Sequence, residues 1–173
     1  NTYRVDADVV PLIMHRRYDA DGWYLCGTQL VPDNGWRIVN WPERLYDDPH
    51  WPDQHYENGL AKNQRTRRSY RGTVRIMKKL RNMMDENGIT AAKPIKGFVV
   101  ECLVWNCPDS CFEYLTWHEI VGSVLDHLAV YTSSLVLCGE WGEVSELKYL
   151  FKSDEGKRAQ AAAFVAEAQK LIR

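Results

Sequence analysis

Hydrophobic and polar residues alternate with a period of two along Tyr3-Arg4-Val5-Asp6-Ala7-Asp8-Val9-Val10. Arg4, Asp6, Asp8 and Val10 fall on one side and Tyr3, Val5, Ala7 and Val9 on the other, which predicts a β-strand. The run continues as an apolar stretch, Val9 to Met14, that reads as fully buried. Trp23 to Leu30 and Trp36 to Asn40 then flank Pro32-Asp33-Asn34-Gly35, the turn chemistry of a hairpin. From Trp41 to Gly59 the chain holds Pro42, Pro49 and Pro52 among polar and aromatic residues, and reads as an ordered loop. Beyond it the period changes to that of helices. Thr66 is the expected N-cap of a helix running to about Met84 and ended by Asn87-Gly88. Its apolar stripe is Tyr70, Val74, Met77, Leu80 and Met84, with Arg68, Arg71, Arg75 and Lys78 side by side elsewhere on its surface. Residues 96–105 fit a buried strand or a buried helix equally well. Residues 117–132 read as a helix with Ile120, Val121, Val124, Leu125 and Leu128 on one side, and an Ala-rich helix follows from about residue 155.

The 173 residues suggest one domain, or a small domain with a remnant of another, and an apolar content of 45% with seven Trp and nine Tyr supports a core. Charge changes the picture more. Net charge is only −1, yet nine of the 22 Lys and Arg lie between Lys62 and Arg81, and no acid occurs between Asn58 and Asp85. So local a concentration argues against a general nucleic-acid coat protein and points to one anion site. Five cysteines, an odd number, read as reduced cytosolic thiols. No apolar run is long enough to span a membrane, since Asp126 and His127 interrupt Val121 to Cys138, and no signal peptide is evident. A cytoplasmic protein is expected.

Asp6 and Asp8 on one face of a strand place their Cα atoms roughly 6.5–7 Å apart, close enough to share a Mg²⁺ ion. The plain alternative is an edge strand with acids facing water. The basic helix holds an anion or presents a solvated face. Solvated helices usually interleave Glu with Lys and Arg for i,i+4 pairing, and here the acids are missing. A polyphosphate and a nucleic-acid backbone are equivalent by charge. Cys102, Cys107, Cys111 and His118 do not have the spacing of a zinc knuckle, and structural thiols are expected. His15, His50, His55 and His127 have no partner that spacing identifies.

In order and spacing these pieces resemble the oligoadenylate synthetase and cyclic GMP-AMP synthase type of nucleotidyltransferase, above all the bacterial cGAS/DncV-like enzymes that make cyclic oligonucleotides in antiphage defence. The likeness is carried by VDADVVP (residues 5–11), NWPE (40–43), HYENGLAKNQRT (55–66), YRGTVRIMKKLRN (70–82) and FVVECLVWNCP (98–108), and more weakly by WGEVSELKYLF (141–151). It implies an α+β fold of the polymerase-β-like superfamily: the end of a mixed or antiparallel catalytic sheet on a mainly helical C-terminal lobe. Residues 1–58 would be the last strands and the ordered loop, and 59–173 the helical nucleotide-binding lobe. It implies Mg²⁺ (or Mn²⁺) and nucleoside triphosphates, with Asp8 as the third catalytic carboxylate and Asp6 an accessory or a solvent-facing neighbour. Lys78 is the best match to the triphosphate-holding lysine, with Lys62, Asn63, Arg75, Lys79 and Arg71 around it. It also favours a helix for residues 98–105.

The departure is the absence of the family's Gly-Ser turn and first two carboxylates. Reading Asp6-Ala7-Asp8 as that D-x-D pair instead leaves no third acid on a suitable strand. The chain is therefore expected to be the C-terminal part of such an enzyme, with an N-terminal segment missing, and nearly inactive alone. Two other functions fit the same residues: a module binding nucleotide or nucleic acid without chemistry, and an inactive relative that contacts partner proteins.

Overall fold

A computed structural model describes residues 13–18, 20–31, 38–40 and 51–172. The strand predicted over residues 3–10, and Asp6 and Asp8 with it, lie outside the described residues. The chain is α+β and divides into two compact units, Asn1–Trp51 and Pro52–Arg173.

In the first unit β1 (Ile13–Tyr18), β2 (Tyr24–Leu30) and β3 (Ile38–Asn40) form an antiparallel sheet in the order β1-β2-β3. Register is set by pairs such as Ile13 opposite Gln29, Tyr18 opposite Tyr24 and Leu30 opposite Ile38. The predicted hairpin is thus present, its turn residues 32–35 lying outside the described residues. One expectation fails: Ile13 and Met14 are exposed. They start a strand that pairs through β2 along one edge, and among the described residues nothing covers their side chains.

The second unit is helical. Of the expected loop 41–59, residues 51–59 belong instead to α1 (Trp51–Arg65), which the prolines hid, and 41–50 lie outside the described residues; Pro52 stands in the first turn, where the missing N–H costs nothing. The helical unit therefore starts before residue 59. Next, α2 (Ser69–Glu86) begins three residues after Thr66, because Arg67 (φ 50°) and Arg68 (φ 70°) adopt the left-handed conformation and break the helix. Thr66 still caps it: its hydroxyl accepts from the Tyr70 N–H at 3.1 Å, and Asn63 Oδ1 accepts from the Arg71 N–H at 3.0 Å. At the other end Gly88 (φ 74°) closes α2, with the Ile89 N–H on the Met84 carbonyl and the Gly88 N–H on the Asp85 carbonyl.

The stripe Tyr70, Val74, Met77, Leu80 and Met84 is buried as expected. It packs on α3 (Gly97–Trp105), whose Val100, Leu103 and Val104 join one core with Ile120, Val121, Val124, Leu125 and Leu128 of α4 (Trp117–Tyr131). The short α5 (Leu135–Cys138) follows, and α6 (Glu155–Ile172) adds Ala161, Phe164, Val165 and Ala168. A helix apolar on nearly every side gives no polar stripe to set its phase, which is why periodicity left α3 open. Thr116 and Glu119 start α4 with a reciprocal capping box. Gly72 is needed where α2 meets α4, since a Cβ there would stand 2.2 Å from the Trp117 ring. Among the described residues no helix is long and apolar enough to cross a membrane.

Lys62 of α1 is buried inside this unit. Its ammonium donates to the carbonyls of Trp105 at 2.9 Å and Cys107 at 2.6 Å, and lies 3.5 Å from Asp109. The rings of Trp105, Phe112 and Tyr70 surround it at 5.2, 5.5 and 5.9 Å. Replacing Lys62 by Ala leaves two buried carbonyls without their donor, and we expect a loss of about 3 kcal/mol. Met, which keeps the packing among the rings, should lose less; urea denaturation of the two variants measures both.

Candidate functional site

The nine cations of the basic segment do four different things. Lys62 is internal and is not available to a ligand, which corrects its expected place among the nucleotide contacts: burial against the end of α3 consumes its donors and pushes its pKa down. Arg65 pairs with Asp109 at 2.9 Å, and Arg81 braces the turn before α3 by donating to the Ile95 carbonyl at 2.7 Å. Asn63 also turns inward, its carbonyl oxygen capping α2. Lys78 pairs with Glu101 of α3. Among the described residues, Arg67, Arg68, Arg71, Arg75 and Lys79 lie within ion-pair reach of no carboxylate.

Arg71, Arg75 and Lys78 stand at i, i+4 and i+7 of α2 and so share one face, with Lys79 beside Arg75 at its border. The Arg71 guanidinium lies 5.4 Å over the ring of Tyr56 from α1. Lys78 Nζ is 2.7 Å from Glu101 Oε2, and His55 Nε2 of α1 is 3.5 Å from Glu101 Oε1. The His55 ring stacks on Phe98 with centroids 5.9 Å apart. Phe98 is exposed and sits in the first turn of α3, whose N-terminus has no side-chain cap. Its leading N–H groups lie at the positive end of the helix dipole, an arrangement suited to an anion.

This face therefore joins fixed cations, an uncapped helix N-terminus and an aromatic ring, the set that a phosphate ester carrying a base would need. A cleft of about 570 Å³, at the corner between α1 and α2, mixes Arg65 and Arg67 with Asp109 and Glu113. Opposite charges there cancel, which leaves the Lys78 face as the stronger anion site.

Sequence reasoning missed Glu101, His55 and Phe98. Glu101 had a signal: it is the one charged residue in the apolar run 98–105, and a carboxylate so placed must find a partner. His55 had none, because its partner is 46 positions away. Cys102, Cys107 and Cys111 are buried free thiols, and His127 stacks on Tyr131 at 4.2 Å, with Trp141 near both rings. Asp6 and Asp8, the carboxylates expected to hold Mg²⁺, fall outside the described residues. Among the described residues no group of three or more His, Cys, Asp or Glu converges as a metal site.

Comparison with known proteins bears on the same helices. Residues 57–173 match the family model described as the cGAS/DncV-like nucleotidyltransferase C-terminal helical domain. The chain is 40% identical over 152 residues to a cyclic dipyrimidine nucleotide synthase CdnE of Cecembia lonarensis, covering 87% of this chain and 48% of the relative. It is 37% identical to a synthase of the same description from Legionella pneumophila, over 99% of this chain and 55% of the relative. Among solved structures, the CdnE cyclic dinucleotide synthase of Elizabethkingia meningoseptica, with GTP and Apcpp, superposes with a TM-score of 0.76 at 25% identity, over 99% of this chain and 59% of that one. The chain spans about half the length of the curated relatives it matches.

The hydrogen bond from His55, and then Lys78, holds the Glu101 carboxyl at about 2 against an ordinary 4.5, although burial opposes this. A carboxylate with a depressed pKa adds stability above its ordinary value and loses it as pH falls toward the depressed one. The stability gap between the native chain and Glu101→Gln should therefore be full at about pH 6, at most about 3 kcal/mol, and close between about pH 4.5 and 2. Urea midpoints across that range give the measurement.

Proposed function

This chain belongs to the cGAS/DncV-like nucleotidyltransferases, and we propose that the Arg71–Arg75–Lys78 face holds the triphosphate of a nucleotide substrate. In this reading the enzyme joins nucleoside triphosphates into cyclic oligonucleotide second messengers, acting in the cytoplasm in antiphage defence. The observation that carries it is the acid-free face of α2 beside the uncapped start of α3, within the segment that matches the family's helical domain. The Elizabethkingia neighbour holds GTP and Apcpp, which supports nucleotide as the ligand.

A ribose hydroxyl attacks an α-phosphate and pyrophosphate leaves. Lys78 and Arg75, with Arg71 and Lys79 beside them, neutralise charge on the β- and γ-phosphates, and it is there that negative charge grows as the bond to pyrophosphate breaks. The N-terminal N–H groups of α3 add a fixed dipole to the same end. Phe98 offers an exposed ring face on which a base stacks. Asp8, with Asp6 two residues before it, is the carboxylate that would hold Mg²⁺ or Mn²⁺, which when bound would supply Lewis-acid activation of the attacking hydroxyl and charge stabilisation of the leaving group.

Lys78→Ala should weaken triphosphate binding about 10- to 100-fold, the cost of one charge-assisted contact, as read by isothermal titration with ATP and Mg²⁺. Unchanged affinity would sink the assignment. In the complete enzyme Asp8→Ala should abolish product, assayed by mass spectrometry with all four triphosphates, while nucleotide affinity persists. If the face instead binds a nucleic-acid backbone without chemistry, affinity will fall steeply and linearly in log–log form with salt, and single triphosphates will compete poorly.

A further inference from the structure

We infer that Glu101 is a positioning residue of this face, fixing the Lys78 ammonium at the point where a triphosphate meets it. The inference rests on the triphosphate reading above and deepens it.

A lysine has a flexible four-carbon stem, and ordering it on a ligand costs up to about 2 kcal/mol of rotamer entropy. Here the stem is already ordered. It runs across the start of α3, close against Gly97: a Cβ built there would stand in ordinary contact with it, 3.7 and 3.8 Å from Lys78 Cε and Cδ. The ammonium at its end is held at 2.7 Å by Glu101, one turn further along α3. Glu101 is itself held from the other side by His55 of α1, and only about a quarter of its side chain is exposed. One carboxylate thus ties α1, α2 and α3 together at the edge of the cationic face. An ammonium has three N–H donors. Glu101 takes one, and among the described residues it is the hydrogen-bond partner of Lys78, so the other donors remain for phosphate oxygens.

A carboxylate beside a phosphate site can instead act as a rival anion, occupying the lysine until the ligand displaces it. Two features weigh against that. Glu101 has a second contact, His55 at 3.5 Å, that holds it back from following a displaced ammonium, and Arg71, Arg75 and Lys79 keep the face positive whether or not Lys78 is neutralised. The two roles predict opposite signs. Removing a positioning residue weakens binding, and removing a rival tightens it.

The test is isothermal titration of inorganic tripolyphosphate into the 173-residue chain and its Glu101→Ala, Glu101→Gln and Lys78→Ala variants, with melting temperatures taken in parallel. Glu101→Ala is expected to bind about 5- to 10-fold more weakly. Glu101→Gln keeps an acceptor oxygen for the ammonium and should recover most of that loss, binding about two- to threefold more weakly than the native chain. Glu101→Ala in a Lys78→Ala background should cost nothing further, since the residue to be positioned is gone. Equal or tighter binding by either Glu101 variant overturns the inference, even where melting temperature falls, because a purely structural tie would move stability alone. Should Glu101→Ala fail to fold, the Gln variant decides by the same sign. A native chain that does not bind tripolyphosphate overturns the triphosphate reading itself, and Lys78-dependent binding that ignores Glu101 overturns this inference alone.

Discussion

The helical unit is organised around one buried cation. The Lys62 ammonium sits at the carbonyl end of α3, where the helix dipole is negative, and satisfies Trp105 and Cys107 while three aromatic rings enclose it. Burial opposes the charge and lowers its pKa, and Asp109 partly offsets this. The arrangement joins the last turn of α1 to the end of α3 and to the short turn at Asp109–Phe112, so three separate stretches of chain converge on one atom. Once α1 is fixed there, His55, Tyr56 and Asn63 are fixed with it. Each supports the basic face of α2 from behind: a ring under Arg71, an imidazole against Glu101, a cap for the first turn.

The face itself follows from how few acids lie near it. Between Asn58 and Asp85 the chain supplies cations alone, and the carboxylates that reach them come from later in sequence: Asp109 for Lys62 and Arg65, Glu101 for Lys78, Asp85 for Arg81. Those three acids take the cations needed for architecture and alignment and leave Arg71 and Arg75 to act outward. The division is spatial. Cations whose positions on α1 and α2 turn toward α3 and the Asp109 turn are neutralised, and those on the outer face keep their charge.

Much of this was legible in the sequence. The stripe on α2, the stripe on α4, the Asn87-Gly88 stop and the hairpin strands follow from periods and turn residues that need no tertiary information. The likeness to the family supplied the helix at α3, which pattern left ambiguous because a nearly continuous apolar run erases periodicity. Three things were not legible. Prolines made the start of α1 look like loop, although Pro52 occupies the one helical turn that tolerates it. Lys62 reads as a surface cation because nothing local announces the carbonyls 43 and 45 residues away. The break at Arg67-Arg68 carries no glycine to mark it.

That break has a consequence for handedness. Two successive residues in the mirror-image region each carry an energetic cost, roughly 1–2 kcal/mol, that right-handed backbone would avoid. With ordinary dihedrals at both, α1 and α2 would propagate as one uninterrupted rod. A rod has a single screw axis, so a lysine directed at the carbonyl end of α3 and an arginine stripe directed at solvent would be locked in one angular relation. Reversing the screw for two residues frees the phase, and α1 and α2 can each choose the side they present. The corner is a local reversal of backbone handedness that lets one acid-free run of sequence serve both the inside and the outside of the protein.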